Sequence, residues 1–195
     1  RSFGEKITFF QMDGVVPTDR YDYQTPIGSL PLIFRKEIED FTESANAFLE
    51  ADKFMTANLR AQLGKDKNIC GISWRGGSDK SNLLRSKDIE LASLAKPLSD
   101  AGQKLVSLQY GDTKEELRIL KEECGIEVFT FHEIDNFNDL DGLASLVSAC
   151  DRVVCIDNLT AHLAGALGCE SKVLLPYSAD WRWGFNETKS YWHNS

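Results

Sequence analysis

The sequence predicts an α/β protein built on a doubly wound parallel sheet, and three observations carry that expectation. From residue 68 onward, short apolar runs of β type alternate with stretches of helical period, as parallel strands joined by crossover helices do. The runs are almost continuously apolar, as in VVCI at 153–156, so their strands should be covered on both faces. The helical stretches open near Ser, Thr or Asp, and three of them stop at glycine (Gly102, Gly125, Gly168).

Taken in order, strands are expected at 68–74 (NICGISW), 104–109 (KLVSLQ), 127–131 (EVFTF), 152–156 (RVVCI) and 172–175 (KVLL). Helices are expected between them at 89–101, 113–124, 140–149 and 159–167. Residues 1–67 read differently: an apolar run at 7–10, a Pro-punctuated stretch at 17–31, and a helix near 52–63 that Gly64 ends. The expected organisation is a lead-in segment over 1–67 and a sheet domain over 68–195. The lead-in is too short for an independent core beside the sheet.

Composition narrows the function. With 42% hydrophobic and 27% charged residues among 195, the chain can bury the core of one domain. A net charge of −8 and a pI near 4.9 argue against a general nucleic-acid binder, whose affinity would rest on many Lys and Arg. No apolar run approaches the roughly 20 residues of a membrane-spanning helix, and no basic-then-apolar leader opens the chain. A cytoplasmic protein without a transmembrane segment is expected. Cys70, Cys124, Cys150, Cys155 and Cys169 form no CxxC pair and read as reduced packing residues. The chain begins at Arg1 rather than Met, so a piece of a longer protein is expected.

In open α/β sheets ligands bind beyond the carboxyl ends of the strands, so the residues that follow each strand are the candidates. They are Trp74-Arg75-Gly76-Gly77-Ser78, Gln109-Tyr110-Gly111, His132-Glu133, Asp157-Asn158 and Pro176-Tyr177. The fourth junction, DNLTAHLAGALG at 157–168, passes from strand to helix through Asp157, Asn158, Leu159, Thr160, Ala161 and His162. Unpaired amides and the positive dipole end at such a helix start suit an anion. A slim helix with ordinary Asx capping is the plainer reading of the same residues.

Arg75 and Arg85 could supply positive charge to a diphosphate, or could be solvated surface arginines. His162 and His132 lie near the same rim, while the spacing of His193 offers no metal partner. Gly76-Gly77-Ser78 lacks a Walker lysine, and no GxGxxG follows the first strand. A P-loop NTPase and a NAD-dependent dehydrogenase are therefore disfavoured.

DNLTAHLAGALG resembles the Asp-Thr/Ser-x-x-x-His-Leu-Ala-Gly-Ala-Leu-Gly motif of the heptosyltransferase group, glycosyltransferase family 9. GISWRGG (71–77), LLRSKDIELASLAKPL (83–98) and VSLQYG (106–111) are similar to further segments of that family. LLPYSADWRWGFNETKSYW (174–192) resembles a signature of its members attached to tetratricopeptide repeats. YDYQTPIGSLPLIF (21–34) resembles the segment joining their two halves. Asn158 departs from the family's usual Thr or Ser, and Tyr110 stands in place of Lys.

The resemblance implies the Rossmann-like, C-terminal half of a GT-B fold, which holds a UDP-, ADP- or GDP-linked sugar. A missing N-terminal half would hold the acceptor, a sugar or a protein, and a repeat domain would lie upstream. By carry-over, Asp157 through His162 would cradle the diphosphate, with Arg85 adding charge. Gln109, His132 and Glu133 would line base and ribose. Transfer would need no metal, in keeping with the lack of a DxD-like pair at a strand end, and the general base would lie outside this chain. Two other readings stay open: a non-catalytic nucleotide-binding or scaffold module beside repeats, and a nucleotide-sugar epimerase.

Overall fold

The structure, a computed structural model, describes residues 7–8, 21–45, 47–64, 68–76, 87–184 and 188–193. The alternation that begins at residue 68 resolves into β1 (Ile69–Ser73), β2 (Lys104–Ser107), β3 (Val128–Phe129), β4 (Arg152–Ile156) and β5 (Ser171–Leu174). Ahead of them lie α1 (Leu30–Phe34), a 3-10 stretch (Ile38–Ala45) and α2 (Lys53–Leu63). The crossovers are α3 (Leu91–Asp100), α4 (Lys114–Cys124), α5 (Leu140–Ala149) and α6 (Leu159–Ala166).

Every observed strand pair is parallel, and the strand order is β3-β2-β1-β4-β5. The chain therefore starts at the sheet's centre, runs outward to one edge, returns beside β1 and runs outward to the other. This is the Rossmann-like doubly wound architecture that the sequence predicts. The carboxyl ends of β1 and β4, where the direction of winding reverses, bound a crevice.

β1 is buried along its whole length because helices cover both faces of the sheet. On one face Ile69, Val106 and Val153 pack with Leu143, Leu146 and Val147 of α5 and Ala161 and Ala164 of α6. On the other, Cys70, Ile72 and Val154 pack with Leu91 and Leu94 of α3 and Leu120 of α4. Contact is close at the centre: a Cβ on Gly71 would meet Leu108 Cδ1 at 2.5 Å. All five cysteines are free, and burial pushes the Cys70 thiol up to about 11 and Cys155 to about 12.

Several details differ from the sequence reading, among them α1 and the 3-10 stretch, which it did not expect. The third strand, at one edge of the sheet, pairs over two residues rather than five (Leu105↔Val128, Val106↔Phe129). The helix at the end of the lead-in is part of the sheet's covering layer, because Leu59 and Leu63, one helical turn apart, enter the core beside α5. The amides of Phe48 and Leu49 also donate to Ala166 O at 3.0 Å each, tying the approach to α2 onto α6. Gly125 ends α4 with φ of 67°, the left-handed value that makes glycine the natural stop there.

At the amino ends of the strands one carboxylate joins three elements. Asp151 accepts from the Asn68 amide (2.9 Å), the Ile69 amide (2.8 Å) and Arg60 Nη2 of α2 (3.0 Å). Burial alone would raise its pKa, but the Ile69 amide and the Arg60 guanidinium outweigh that and hold it below the usual carboxylate value. A depressed carboxylate pKa adds stability above its unfolded value, near 3.9, and loses it as pH falls through the folded value. Asp151→Asn should therefore cost about 1–3 kcal/mol at neutral pH. In urea titrations at descending pH, the gap between variant and parent should close below about pH 4.

Candidate functional site

The crevice at the sheet's reversal point is framed by a chain of hydrogen bonds that begins inside the sheet. Gln109, following β2, is 4% exposed. Its Oε1 accepts from Ser73 Oγ (3.1 Å), the Trp74 amide (2.9 Å) and the Arg75 amide (2.8 Å). Its Nε2 donates to the carbonyls of Arg75 and Tyr110, both at 3.2 Å. These bonds occupy both ends of the side chain and shape the exit from β1, while the residue also lines a hollow shared with His132.

From Ser73 the chain of bonds continues to α6. Asn158 Nδ2 donates to Ser73 Oγ at 2.8 Å, while its Oδ1 caps the helix by accepting from the Thr160 amide at 3.0 Å. The departure to Asn at this position thus has a physical role: an amide caps and donates at once, which a hydroxyl on a shorter side chain does less readily. Thr160 and Ala161 are buried, and the Ala161 amide donates to Asn158 O at 3.2 Å, so both belong to the helix start itself.

Charge at the crevice comes from a residue the sequence reading did not single out. Lys87 Nζ pairs with the Asp157 carboxylate; the lysine side chain is 32% exposed and the aspartate 3%. Burial would raise the Asp157 pKa, but the Lys87 ammonium dominates and holds the carboxyl below its usual value. Asp157 is therefore an anion that anchors a cation, and it lines the cleft between the ends of β1 and β4. The sequence held a signal for it, since Lys87 is two residues beyond Arg85 and falls within the 83–98 segment that resembles the family.

The other expected residues are spread around the rim. Arg75 directs Nη2 to Glu116 (2.9 Å) and to Asp112 O (3.0 Å), so its charge is committed to the α4 side. The neighbouring Gly76 amide donates to Asp88 Oδ1 at 2.8 Å. Arg85, with Gly77 and Ser78, lies outside the described residues. A cleft of 340 Å³ opens between Gly76, Lys87, Asn158 and Leu159 on one part of its lining and Tyr110 and Phe137 on another.

A second hollow of 360 Å³ adjoins it over the ends of β2 and β3, and includes exposed His132, whose Nε2 is 3.3 Å from Thr130 Oγ1. Tyr110 and Asn136 line both hollows. Glu133 is exposed and lines neither.

His162 is not among the residues that line either hollow. It stacks on Trp183 (centroids 5.0 Å, 17°), and its Nδ1 is 3.4 Å from His193 Nε2. Burial first, and then Arg182, lower its pKa, so the ring is neutral at pH 7 and adds no positive charge. His193 rests on Gly165, where a Cβ would come within 2.3 Å of its ring. Among the described residues no group of three or more His, Cys, Asp or Glu is arranged to hold a metal. Among the same residues no helix is long and apolar enough to cross a membrane.

Compared with models of known protein families, the chain matches none. It is 39% identical over 153 residues to Protein FlbA of Caulobacter vibrioides, over 77% of this chain and 25% of that protein. The chain thus spans a quarter of the length of that relative. Among solved structures it is similar to a family 9 glycosyl transferase from Veillonella parvula, with TM-score 0.50 and 15% identity over 68% of this chain and 37% of that one. It also overlaps the ADP-heptose lps heptosyltransferase II of E. coli, with TM-score 0.45 and 21% identity over 64% and 38% of the two chains. The Veillonella likeness is one of fold, in agreement with the observed strand order.

Two substitutions test this account of the rim. Gln109→Ala strands the Trp74 and Arg75 amides and should lower stability by about 1–3 kcal/mol, seen as an earlier urea midpoint. Gly165→Ala should displace His193 and uncover His162, whose titration, followed by NMR, should move up toward the ordinary histidine range near 6.5.

Proposed function

We propose that this chain binds the diphosphate of a nucleotide sugar in the cleft between the ends of β1 and β4, as the donor-binding half of a metal-independent glycosyltransferase. The observation that carries the reading is Lys87, a partly exposed ammonium fixed by a buried carboxylate beside the start of α6. A cation so placed meets an entering anion without first having to be ordered, and the positive end of the helix dipole adds to it. The likeness of fold to glycosyltransferases and the resemblance of the 157–168 motif support the same reading.

Glycosyl transfer leaves growing negative charge on the departing diphosphate. Lys87 and the α6 start would stabilise that charge, and the Gln109–Ser73–Asn158 chain of bonds would hold the groups in place while it develops. Arg85 would add a second cation, and the hollow containing His132 adjoins the cleft on the side of β2. The acceptor and the base that activates it would come from another part of a longer protein.

Isothermal titration with UDP, ADP, GDP and CDP tests the reading. One nucleotide should bind selectively, Lys87→Ala and Arg85→Ala should each weaken it about tenfold, and Lys87→Arg should retain most of the affinity. A folded chain that binds none of the four would overturn the donor reading in favour of a scaffold module. Nucleotide binding without sugar transfer by the full-length protein would leave a binding module.

A further inference from the structure

The cleft that carries Lys87 has an apolar part that the charge chemistry does not use. Phe137 is 66% exposed and Leu159 is 54% exposed, and both line it. Apolar side chains exposed beside a cation in one concavity give the mixture of apolar wall and placed polar group that small-molecule sites show. Phe137 does not stand alone: its ring meets that of Tyr110 with centroids 5.7 Å apart and a 49° tilt, so the two form one aromatic wall.

That wall is built before any ligand arrives. The Asp135 carboxylate accepts from the Phe137 amide (2.9 Å) and from Asn138 Nδ2 (2.7 Å), closing a tight turn around Phe137. The Asp139 amide donates to Asp135 O at 2.8 Å, and Asp139 then caps α5 through the Gly142 amide. Asn136 Nδ2 donates to Gln109 O at 3.2 Å, fastening the turn to the end of β2. Backbone order of this kind lowers the entropy that a ligand must remove on stacking.

We propose that the Phe137–Tyr110 wall is the platform on which the nucleobase of the donor stacks, with Leu159 lining the same space and Lys87 holding the phosphates. The proposal rests on the donor-binding reading and moves the base from the Gln109, His132 and Glu133 positions onto the aromatic pair. An anion without a flat ring would use Lys87 alone. A ligand with a π face and a diphosphate uses both parts of the cleft, which is the chemistry of a nucleoside diphosphate. Because every base has a π face, the platform strengthens binding of any of them and leaves the choice among bases to other contacts.

The test titrates the chain, together with Phe137→Ala and Phe137→Tyr, against ADP, UDP, the corresponding nucleotide sugars and inorganic pyrophosphate. The alanine variant should bind the preferred nucleotide about tenfold more weakly, leave pyrophosphate unchanged, and be rescued by tyrosine. If pyrophosphate binding is undetectable throughout, loss in the alanine variant with rescue by tyrosine supports the platform, and absence of either overturns it. Unchanged nucleotide affinity in Phe137→Ala, an equal loss for pyrophosphate, or a loss confined to nucleotide sugars would also overturn it. A parent chain that binds none of these ligands would bring down the donor reading itself. A parent that binds and an alanine variant that binds equally well would remove the platform alone.

Discussion

The rim of this protein depends on one buried amide. Gln109 sits where β2 ends, almost without contact with water, and gathers three donors from the exit of β1 onto a single oxygen. Through Ser73 the same set of bonds reaches Asn158, so the carboxyl ends of β2, β1 and β4 are held as a unit. Buried polar groups must be matched by partners, and here the matching fixes the relative height of three strand ends. Lys87, the start of α6 and the turn bearing Phe137 are all placed against that fixed edge.

The opposite end of the sheet has a counterpart. Asp151 receives the first amides of β1 and the guanidinium of α2, so the leading helix, the central strand and the α5–β4 turn meet at one carboxylate. The two clamps differ in kind. The Gln109 clamp is neutral and insensitive to pH, whereas the Asp151 clamp depends on a charge that acid removes. Between them lie packed apolar layers on both faces, which supply the bulk of the burial.

The fold was legible in the sequence because its signals are local. Apolar runs such as that at 153–156, Asx residues such as Asn158 and Asp139, and the glycine after α4 each act within a few residues of themselves. The site was legible only in part, because its decisive facts are distant pairings. Nothing near Asp157 announces that its carboxylate would be occupied by Lys87, 70 residues away. Nothing near His162 announces that Trp183 and His193 would cover it. Gln109 lies where β2 ends, and whether a polar side chain there faces a ligand or its own backbone is decided by neighbours 34–36 residues away.

The strand order has a bearing on how the molecule is made. β1 is among the first sheet elements to leave the ribosome, yet its β4 neighbour follows much later, with the Ile69 amide and its Asp151 partner 82 residues apart. At roughly 5–20 residues per second, about 4–16 seconds of synthesis separate the two partners, and through that interval one edge of β1 lacks the strand that covers it in the folded sheet.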